Sequence, residues 1–230
     1  MIFIFDLDDT LYDESSYVSS GFKTVSKYLE KNYKVNSSEA FNYMMKDLRK
    51  NGRGKIFNNV LEKYSLFTNS RLKKLVSVYR MHIPDIKLYK DSLNIFKTFR
   101  DSPKYVVTDG NKIVQNIKCN ALKLDKYIKK IFITYRYGIK NSKPSTYCFN
   151  KILQIEKAKP NNVLCIGDNP NKDFFNLNKE GFYTVRIMRG MFKEVKVDKE
   201  NDGKLIIKSL NEITPKFIKS LNQIEKFQYS

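Results

Sequence analysis

Apolar residues along the 230-residue chain fall into short runs, and most of these runs end in a cluster of polar residues. Three continuous runs have the length and composition of buried parallel strands, at residues 2–5, 105–107 and 163–166. Weaker runs predict three further strands, at residues 130–133, 183–186 and 205–207. The pattern therefore predicts a parallel sheet with polar residues at the strand ends.

Segments with helical apolar spacing lie between these runs, at residues 112–122, 145–153 and 172–179. Strands that alternate with helices of this length indicate an α/β fold with a doubly wound parallel sheet. Ligands of such sheets bind beyond the carboxyl ends of the strands. Because the polar clusters lie at those ends, we expect the functional site there.

The stretch from residue 13 to residue 88 has helical apolar spacing and no convincing strand. Breaks divide it into four helical segments, near residues 35–37, 51–54 and 67–70. We therefore predict two domains, a catalytic core and a small helical domain inserted after the first strand. Their predicted bounds are residues 1–12 with 89–230 for the core and 13–88 for the insertion.

Composition narrows the class of protein. Hydrophobic residues make up 41% of the chain, enough for a packed core, and no apolar run approaches the roughly 20 residues that cross a membrane. The formal net charge of +19 is spread along the chain, so we expect it to attract small anionic substrates and do not expect nucleic-acid binding. The isolated Cys119, Cys148 and Cys165 predict free thiols and a cytoplasmic location.

Two acids directly follow the first apolar run. Asp6 and Asp8 are separated by one residue, so strand alternation would place both side chains on one face. Two neighbouring carboxylates can divide roles, with one ionised as a nucleophile or metal ligand and the other protonated long enough to act as an acid. An acidic helix cap is the alternative, but it would explain one aspartate and not the pair.

Further polar residues follow the later runs. Thr108 precedes Asp109 and Gly110, and a hydroxyl beside backbone N–H groups can hold a phosphoryl oxygen, although the same tripeptide also forms ordinary turns. Lys143 precedes a proline and a predicted helix, where it could neutralise charge on a transferring phosphoryl group. Lys140 is a nearby rival for that role.

Asp168 and Asp173 follow the third continuous run. Carboxylates at a strand end are hard oxygen ligands that suit Mg²⁺, which binds few protein groups and keeps several waters. The chain thus carries, in order, an acid pair, a hydroxyl, a lysine and a second acid pair. This order is more specific than any one of its parts.

The order of motifs resembles that of the haloacid dehalogenase-like hydrolase superfamily. Four segments carry the resemblance: Asp6-Leu7-Asp8-Asp9-Thr10-Leu11, Thr108-Asp109-Gly110, Lys143-Pro144 and Gly167-Asp168-Asn169-Pro170-Asn171-Lys172-Asp173. The first and last are the more specific segments. Asp109 departs from the pattern, since members often carry asparagine there. Asp8 indicates phosphate chemistry, because members that cleave carbon–halogen bonds lack the second acid.

The resemblance implies a Mg²⁺-dependent phosphohydrolase that works through a covalent intermediate. Asp6 would attack the substrate phosphorus and become an aspartyl-phosphate. Asp8 would protonate the leaving oxygen and then activate the water that hydrolyses the intermediate. The metal would be held by the Asp6 carboxylate, the Asp8 backbone carbonyl and Asp168, with Asp173 behind these ligands or on a metal-bound water.

The resemblance also implies where the substrate binds. Thr108 and Lys143 would stabilise the phosphoryl oxygens, and the backbone at Asp109 and Gly110 would help to bind them. The insertion falls where the family places a helical cap of the first type, which closes over the site and excludes water. Such a cap favours a small phosphorylated metabolite over a protein as the substrate.

The segment Asn51-Gly52-Arg53-Gly54-Lys55 resembles the specificity loop of such caps. Arg53 and Lys55 are therefore candidate substrate-binding residues, because either side chain could reach an anionic group. An inter-helix turn with solvated charges is the alternative interpretation of the same segment. His82, the single histidine, lies near the return to the core, and we expect it to pack there rather than to take part in catalysis.

We therefore predict a phosphatase of small phosphorylated metabolites. A phosphomutase or another phosphoryl transferase of the same fold is the second candidate, and it would return the phosphoryl group to a second hydroxyl. A non-catalytic binding module is the third, and the intact set of acids and lysine argues against it. The sequence leaves the oligomeric state open, and it leaves the substrate open among sugar phosphates, nucleoside monophosphates and two- or three-carbon phosphates.

Overall fold

A computed structural model describes the backbone of residues 1–228 and the side chains of residues 1–221. The chain divides into two compact units. The larger unit comprises Met1–Glu14 together with the chain from Lys87 onward, and the smaller unit comprises Ser15–Ile86. These bounds lie two residues inside the predicted insertion at each end, and the role of the smaller unit as a cap stays a prediction.

Six strands form one parallel sheet within the described part of the larger unit. They are β1 Ile2–Phe5, β2 Lys104–Thr108, β3 Lys130–Ile133, β4 Val163–Gly167, β5 Tyr183–Ile187 and β6 Leu205–Ile207. Their order across the sheet is β3-β2-β1-β4-β5-β6. The predicted α/β fold is confirmed, and each of the six predicted strands is present.

The strand order reverses at β1, which lies between β2 and β4. All residues of these three strands are buried, as expected for parallel strands that are covered on both faces. A switch in strand order opens a crevice at the carboxyl ends of the neighbouring strands, where ligands of such sheets bind. We therefore expect a ligand to bind near the residues that end β1, β2 and β4.

Helices account for most of the remaining chain. They are α1 Glu14–Tyr33, α2 Ser37–Asn51, α3 Ile56–Lys63, α4 Asn69–Met81, α5 Lys90–Thr98, α6 Lys112–Ala121, α7 Tyr147–Glu156, α8 Phe175–Lys179 and α9 Pro215–Gln228. Two of the predicted core helices correspond to α6 and α7. The third is shorter than predicted, because α8 begins only after the turn around Asp173, and α5 was not predicted.

The smaller unit contains four helices and its own apolar core, which includes Phe22, Val25 and Leu29. His82 follows α4, is buried, and packs against the rings of Tyr17 and Tyr79. The three cysteines are buried and free, as predicted. No helix within residues 1–228 combines the length and apolar composition that a membrane span requires.

Candidate active site

The predicted site residues of the larger unit gather at the carboxyl ends of the three central strands. Asp6 directly follows β1, Thr108 ends β2 and Asp168 directly follows β4. Because β2, β1 and β4 are parallel neighbours, their last residues lie at one edge of the sheet. The loops after β3 and β4 add Lys143 and Asp173.

Lys143 joins two of the acids. Its Nζ donates to Asp6 Oδ1 at 2.5 Å and to Asp173 Oδ1 at 2.9 Å. Burial alone would lower the pKa of Lys143, but the carboxylates of Asp173 and Asp6 outweigh burial and raise it above its usual range. Lys143 is therefore a buried, protonated lysine in contact with Asp6. Lys140, the other candidate for this role, is exposed.

Asp173 is held from its other side by the turn after β4. Its Oδ2 accepts a hydrogen bond from the backbone N–H of Asn169 at 3.0 Å. A Cβ added at Gly167 would lie 2.5 Å from Asp173 Oδ2, so the close approach of this carboxylate requires glycine there. Asp173 thus holds Lys143 in place, and its predicted position behind the metal ligands or on a metal-bound water stays a prediction.

The carboxylates around Asp6 carry more negative charge than Lys143 balances. Burial raises the pKa of Asp6 to about 7; Lys143 opposes this rise, and the charges of Asp173 and Asp8 add to it. Burial and the charges of Asp6, Asp173 and Asp9 raise the pKa of Asp168 to about 9. The charges of Asp6 and Asp168 thus disfavour each other, and Lys143 alone does not offset this effect together with burial.

This excess of negative charge fits a bound divalent cation. The groups that could hold one are the Asp6 and Asp168 carboxylates and the backbone carbonyl of Asp8, all of them hard oxygen donors. Within the described residues, no three His, Cys, Asp or Glu side chains cluster as a metal site. A donor set with two carboxylates suits Mg²⁺, which binds few protein groups and keeps several waters, better than Zn²⁺.

Asp8 lies in a different environment. Its Oδ1 accepts from Lys118 Nζ at 2.7 Å and from the Tyr12 hydroxyl at 2.5 Å, and its Oδ2 accepts from Gln115 Nε2 at 2.8 Å. Burial would raise the pKa of Asp8, but the charge of Lys118 and the hydrogen bonds from Lys118, Tyr12 and Gln115 together outweigh burial and hold the pKa below its usual value. These donors therefore favour the ionised form of Asp8 in the site without substrate.

Tyr12, Gln115 and Lys118 were not predicted as site residues from the sequence. Gln115 and Lys118 are three residues apart on α6, and both are almost completely buried. Residues with this spacing share a helix face. A glutamine and a lysine on the face that packs inward were the available signal, because long polar side chains are rarely buried without a partner.

Thr108 and Asp109 hold the neighbouring loops. The buried Thr108 Oγ1 accepts from Gln115 Nε2 at 2.6 Å. Asp109 Oδ1 accepts from the Thr134 hydroxyl at 2.7 Å and from the backbone N–H of Lys143 at 3.1 Å. The Asp109 side chain thus anchors the Lys143 loop, and the predicted contact of its backbone N–H with substrate stays a prediction.

Gly110 follows with a φ of 131°, in a region that side-chain-bearing residues rarely adopt. A Cβ added there would lie 3.3 Å from Gln115 Cγ. Glycine therefore lets the chain turn sharply between β2 and α6 while Gln115 stays close to Thr108. The predicted role of the Gly110 backbone in substrate binding stays a prediction.

Arg189 holds the loop after β1 from outside the predicted motifs. Its guanidinium donates to the backbone carbonyls of Asp9 and Thr10, and its Nη1 lies 2.9 and 3.1 Å from the two carboxylate oxygens of Asp91. Asp9 Oδ2 in turn accepts from the backbone N–H of Met191 at 3.1 Å. These contacts fix the backbone that carries the acid pair.

Arg53 and Lys55 belong to the smaller unit. They lie between α2 and α3, in a loop where both side chains are exposed. Gly52 has a φ of 73°, and nothing lies within 4 Å of a Cβ added at Gly52 or Gly54. The predicted contact of Arg53 and Lys55 with substrate stays a prediction.

Comparison with known proteins identifies relatives along most of the chain. The family description of haloacid dehalogenase-like hydrolases matches residues 3–187. The glyceraldehyde 3-phosphate phosphatase of Methanocaldococcus jannaschii is 26% identical over 224 residues, which cover 91% of this chain and 93% of that protein. Its namesake from Pyrococcus furiosus is 24% identical over 220 residues, which cover 92% and 90% of the two chains.

A solved structure shows the same fold. It is a putative hydrolase of the haloacid dehalogenase type from Bacillus subtilis, bound to magnesium. The two structures superimpose with a TM-score of 0.66 at 17% sequence identity, covering 92% of this chain and 96% of the other. At this identity the likeness shows the fold alone.

Proposed function

The chain belongs to the haloacid dehalogenase-like hydrolase family, and we propose that it is a Mg²⁺-dependent phosphatase that releases inorganic phosphate from a small phosphorylated metabolite. The observation that carries the proposal is the 2.5 Å contact between the Lys143 ammonium and the Asp6 carboxylate at the end of β1. A lysine in that position can neutralise phosphoryl oxygens while Asp6 attacks phosphorus. The two phosphatase relatives, each of which aligns with about nine-tenths of the chain, support phosphate esters as the substrate class.

The proposed reaction has two displacements at phosphorus. In the first, an Asp6 oxygen bonds to phosphorus, the bond from phosphorus to the substrate oxygen breaks, and Asp8 gives its proton to that departing oxygen. In the second, water attacks the phosphorus of the aspartyl-phosphate and Asp8 takes a proton from the water. Phosphate leaves, and the Asp6 carboxylate and the protonated Asp8 are restored.

The remaining site residues would bind the phosphoryl group and the metal ion, or hold other site residues in place. Lys143 and the Thr108 hydroxyl would bind phosphoryl oxygens, with Asp173 and Asp109 fixing the lysine and its loop. The Asp6 and Asp168 carboxylates and the Asp8 carbonyl would hold Mg²⁺. The ion would supply positive charge to the transferring phosphoryl group.

Three-carbon phosphates are the first substrates to test, since both relatives are named glyceraldehyde 3-phosphate phosphatase. Sugar phosphates and nucleoside monophosphates stay candidate substrates, because a relative with 24–26% sequence identity does not establish the substrate of this chain. The three free, buried cysteines are in keeping with the proposed cytoplasmic location.

We further propose that the smaller unit is a cap whose loop residues Arg53 and Lys55 bind the part of the substrate remote from the phosphoryl group. Arg53→Ala and Lys55→Ala should then raise KM for the physiological substrate more than they lower kcat. Lys50→Ala, an exposed lysine at the end of α2, is the matched control. Kinetics unchanged across the whole panel would favour a solvated turn.

The proposed function is tested by measuring phosphate release from a panel of alkyl and aryl phosphate esters. Activity should disappear with a chelator and return with Mg²⁺, without a requirement for Zn²⁺. Beryllofluoride with Mg²⁺ should inhibit by occupying the Asp6 carboxylate. Full activity in chelator would contradict the metal assignment, and isomerised product without free phosphate would indicate a phosphomutase.

A further inference from the structure

The carboxylate of Asp8 is enclosed by two side chains of α6 that the proposed reaction does not use. Lys118 Nζ lies 2.7 Å from Asp8 Oδ1 and 3.5 Å from Glu14 Oε1. Gln115 Nε2 lies 2.8 Å from Asp8 Oδ2 and 2.6 Å from Thr108 Oγ1. Both α6 residues are at most 3% exposed, whereas the Asp8 side chain is 23% exposed, so water is excluded from the α6 side of these contacts and Asp8 stays open on its other side.

We propose that Gln115 and Lys118 are positioning residues that hold the Asp8 carboxylate and the Thr108 hydroxyl in the orientations that proton transfer and phosphoryl binding require. The inference rests on the proposed function, because it assigns these residues to the same reaction. It adds that α6, which contributes none of the predicted catalytic groups, sets the geometry of two of them.

Gln115 links the acid to the phosphoryl-binding hydroxyl. An ionised carboxylate only accepts hydrogen bonds, so the amide nitrogen of Gln115, which has two hydrogens, must face Asp8. One hydrogen points to Asp8 Oδ2 and the other to Thr108 Oγ1. Because the Thr108 oxygen accepts this bond, its own proton points elsewhere and is available to a phosphoryl oxygen.

The contacts also distinguish the two oxygens of Asp8. Oδ1 accepts two hydrogen bonds, from Lys118 and Tyr12, whereas Oδ2 accepts one from the described residues, that of Gln115. A carboxylate oxygen accepts about two. Oδ2 is therefore the oxygen that carries the transferred proton, and rotation of the carboxylate away from this orientation would break the contacts on both sides.

The test compares Lys118→Met and Gln115→Met, which keep most of the side-chain volume and remove the donors. Each should lower kcat for alkyl phosphates by about 10- to 100-fold with little change in KM, because misplacement of a reacting group by about 1 Å costs this much. The loss should be smaller for aryl phosphates, whose leaving oxygen needs less help from a proton. A purely structural role would not separate the two classes of substrate.

Lys104→Met is the matched control, because Lys104 is also a buried lysine of the larger unit but donates to the backbone carbonyls of Arg100 and Ser102. It should leave kcat within about twofold of wild type once the protein is folded. Gln115→Met, which changes no charge, carries the test if Lys118→Met does not fold. In an Asp8→Asn background, Lys118→Met should add little further loss, since both changes act on one group.

Two outcomes would overturn the inference while leaving the proposed function intact. The first is a kcat within twofold of wild type for both α6 variants in a protein that loses turnover with Asp6→Asn. The second is an equal loss for alkyl and aryl phosphates together with full additivity in the Asp8→Asn background. Failure of the wild-type protein to release phosphate from any ester would instead remove the proposed function itself.

Discussion

Asp6 and Asp8 are two residues apart, but their surroundings are opposite in charge balance. Asp6 shares the Lys143 ammonium with Asp173 and lies near Asp168, and its pKa is raised to about 7. Asp8 has three donors around its two oxygens and a pKa below its usual value. The loop after β1 therefore carries one acid with too little positive charge around it, Asp6, and one acid whose charge is balanced by Lys118 and two further hydrogen-bond donors, Asp8.

The proposed reaction needs Asp6 ionised when it attacks phosphorus and Asp8 protonated when the leaving oxygen departs, whereas the protein groups alone favour the ionised form at Asp8 and disfavour it at Asp6. The physical reason is that the protein groups alone leave the Asp6 side with unbalanced buried charge. A divalent cation added beside Asp6 would lower its pKa and favour the carboxylate at neutral pH. The donors around Asp8 favour its ionised form, which is the form that accepts a proton from the hydrolytic water.

The largest expected effect comes from removing the Asp6 carboxylate. Asp6→Asn should lower turnover by a factor on the order of 10³ or more, because an amide can neither attack phosphorus nor bind the metal as a carboxylate does. Circular dichroism should show an unchanged fold. Asp125→Asn, which removes the same charge from an exposed site, is the control, and an Asp6→Asn protein with substantial activity would contradict covalent catalysis.

Removing the second acid should have a smaller effect that depends on the substrate. Asp8→Asn should lower kcat for alkyl phosphates by a factor on the order of 10², since general acid–base catalysis contributes this much. Aryl phosphates should lose less, because their leaving oxygen is already acidic. The measurement is kcat of wild type and variant on one alkyl and one aryl phosphate. An equal loss of kcat for the two esters would show that Asp8 is not the general acid.

The charge imbalance at Asp6 can be tested by stability as well as by activity. Without metal at pH 7, Asp168→Asn should raise the free energy of unfolding by roughly 1–3 kcal/mol. Burial and the charge of Asp6 disfavour an ionised Asp168, so folding has to add a proton to an acid that is ionised in the unfolded chain, and an amide avoids this cost. Added Mg²⁺ should stabilise the wild type and have little effect on the variant. Urea unfolding with and without Mg²⁺ measures both, and equal stabilisation of the two proteins would exclude Asp168 as a ligand.

The smallest effect is expected at the anchor of the Lys143 loop. Asp109→Asn keeps an oxygen that accepts from Thr134 and from the Lys143 N–H, and loses an ion pair with the partly exposed Lys172, so kcat should change by less than about threefold. Asp109→Ala removes the anchor and should lower kcat by about 10-fold. Steady-state kinetics of the two variants would contradict this role if their losses were equal.

The fold could be predicted from the sequence because it depends on local patterns. A continuous apolar run of three or four residues favours a buried strand, and polar residues directly after it mark the strand end. These two signals located all six strands and placed Asp6, Thr108 and Asp168 at one edge of the sheet. Helical apolar spacing was a weaker signal, because it did not predict α5 and predicted α8 to begin too early.

The tertiary structure alone decided which distant groups meet at the acid pair. Lys118 and Arg189 are about 110 and 180 residues from the groups they contact in the loop after β1, and the sequence around each of them does not show which groups it meets. Likewise, the Lys143-Pro144 pair favoured Lys143 over Lys140 in the sequence, but only the fold brings the Lys143 ammonium into contact with Asp6. Secondary structure follows from neighbours along the chain, whereas the charge balance of a carboxylate depends on distances between elements that only packing brings together.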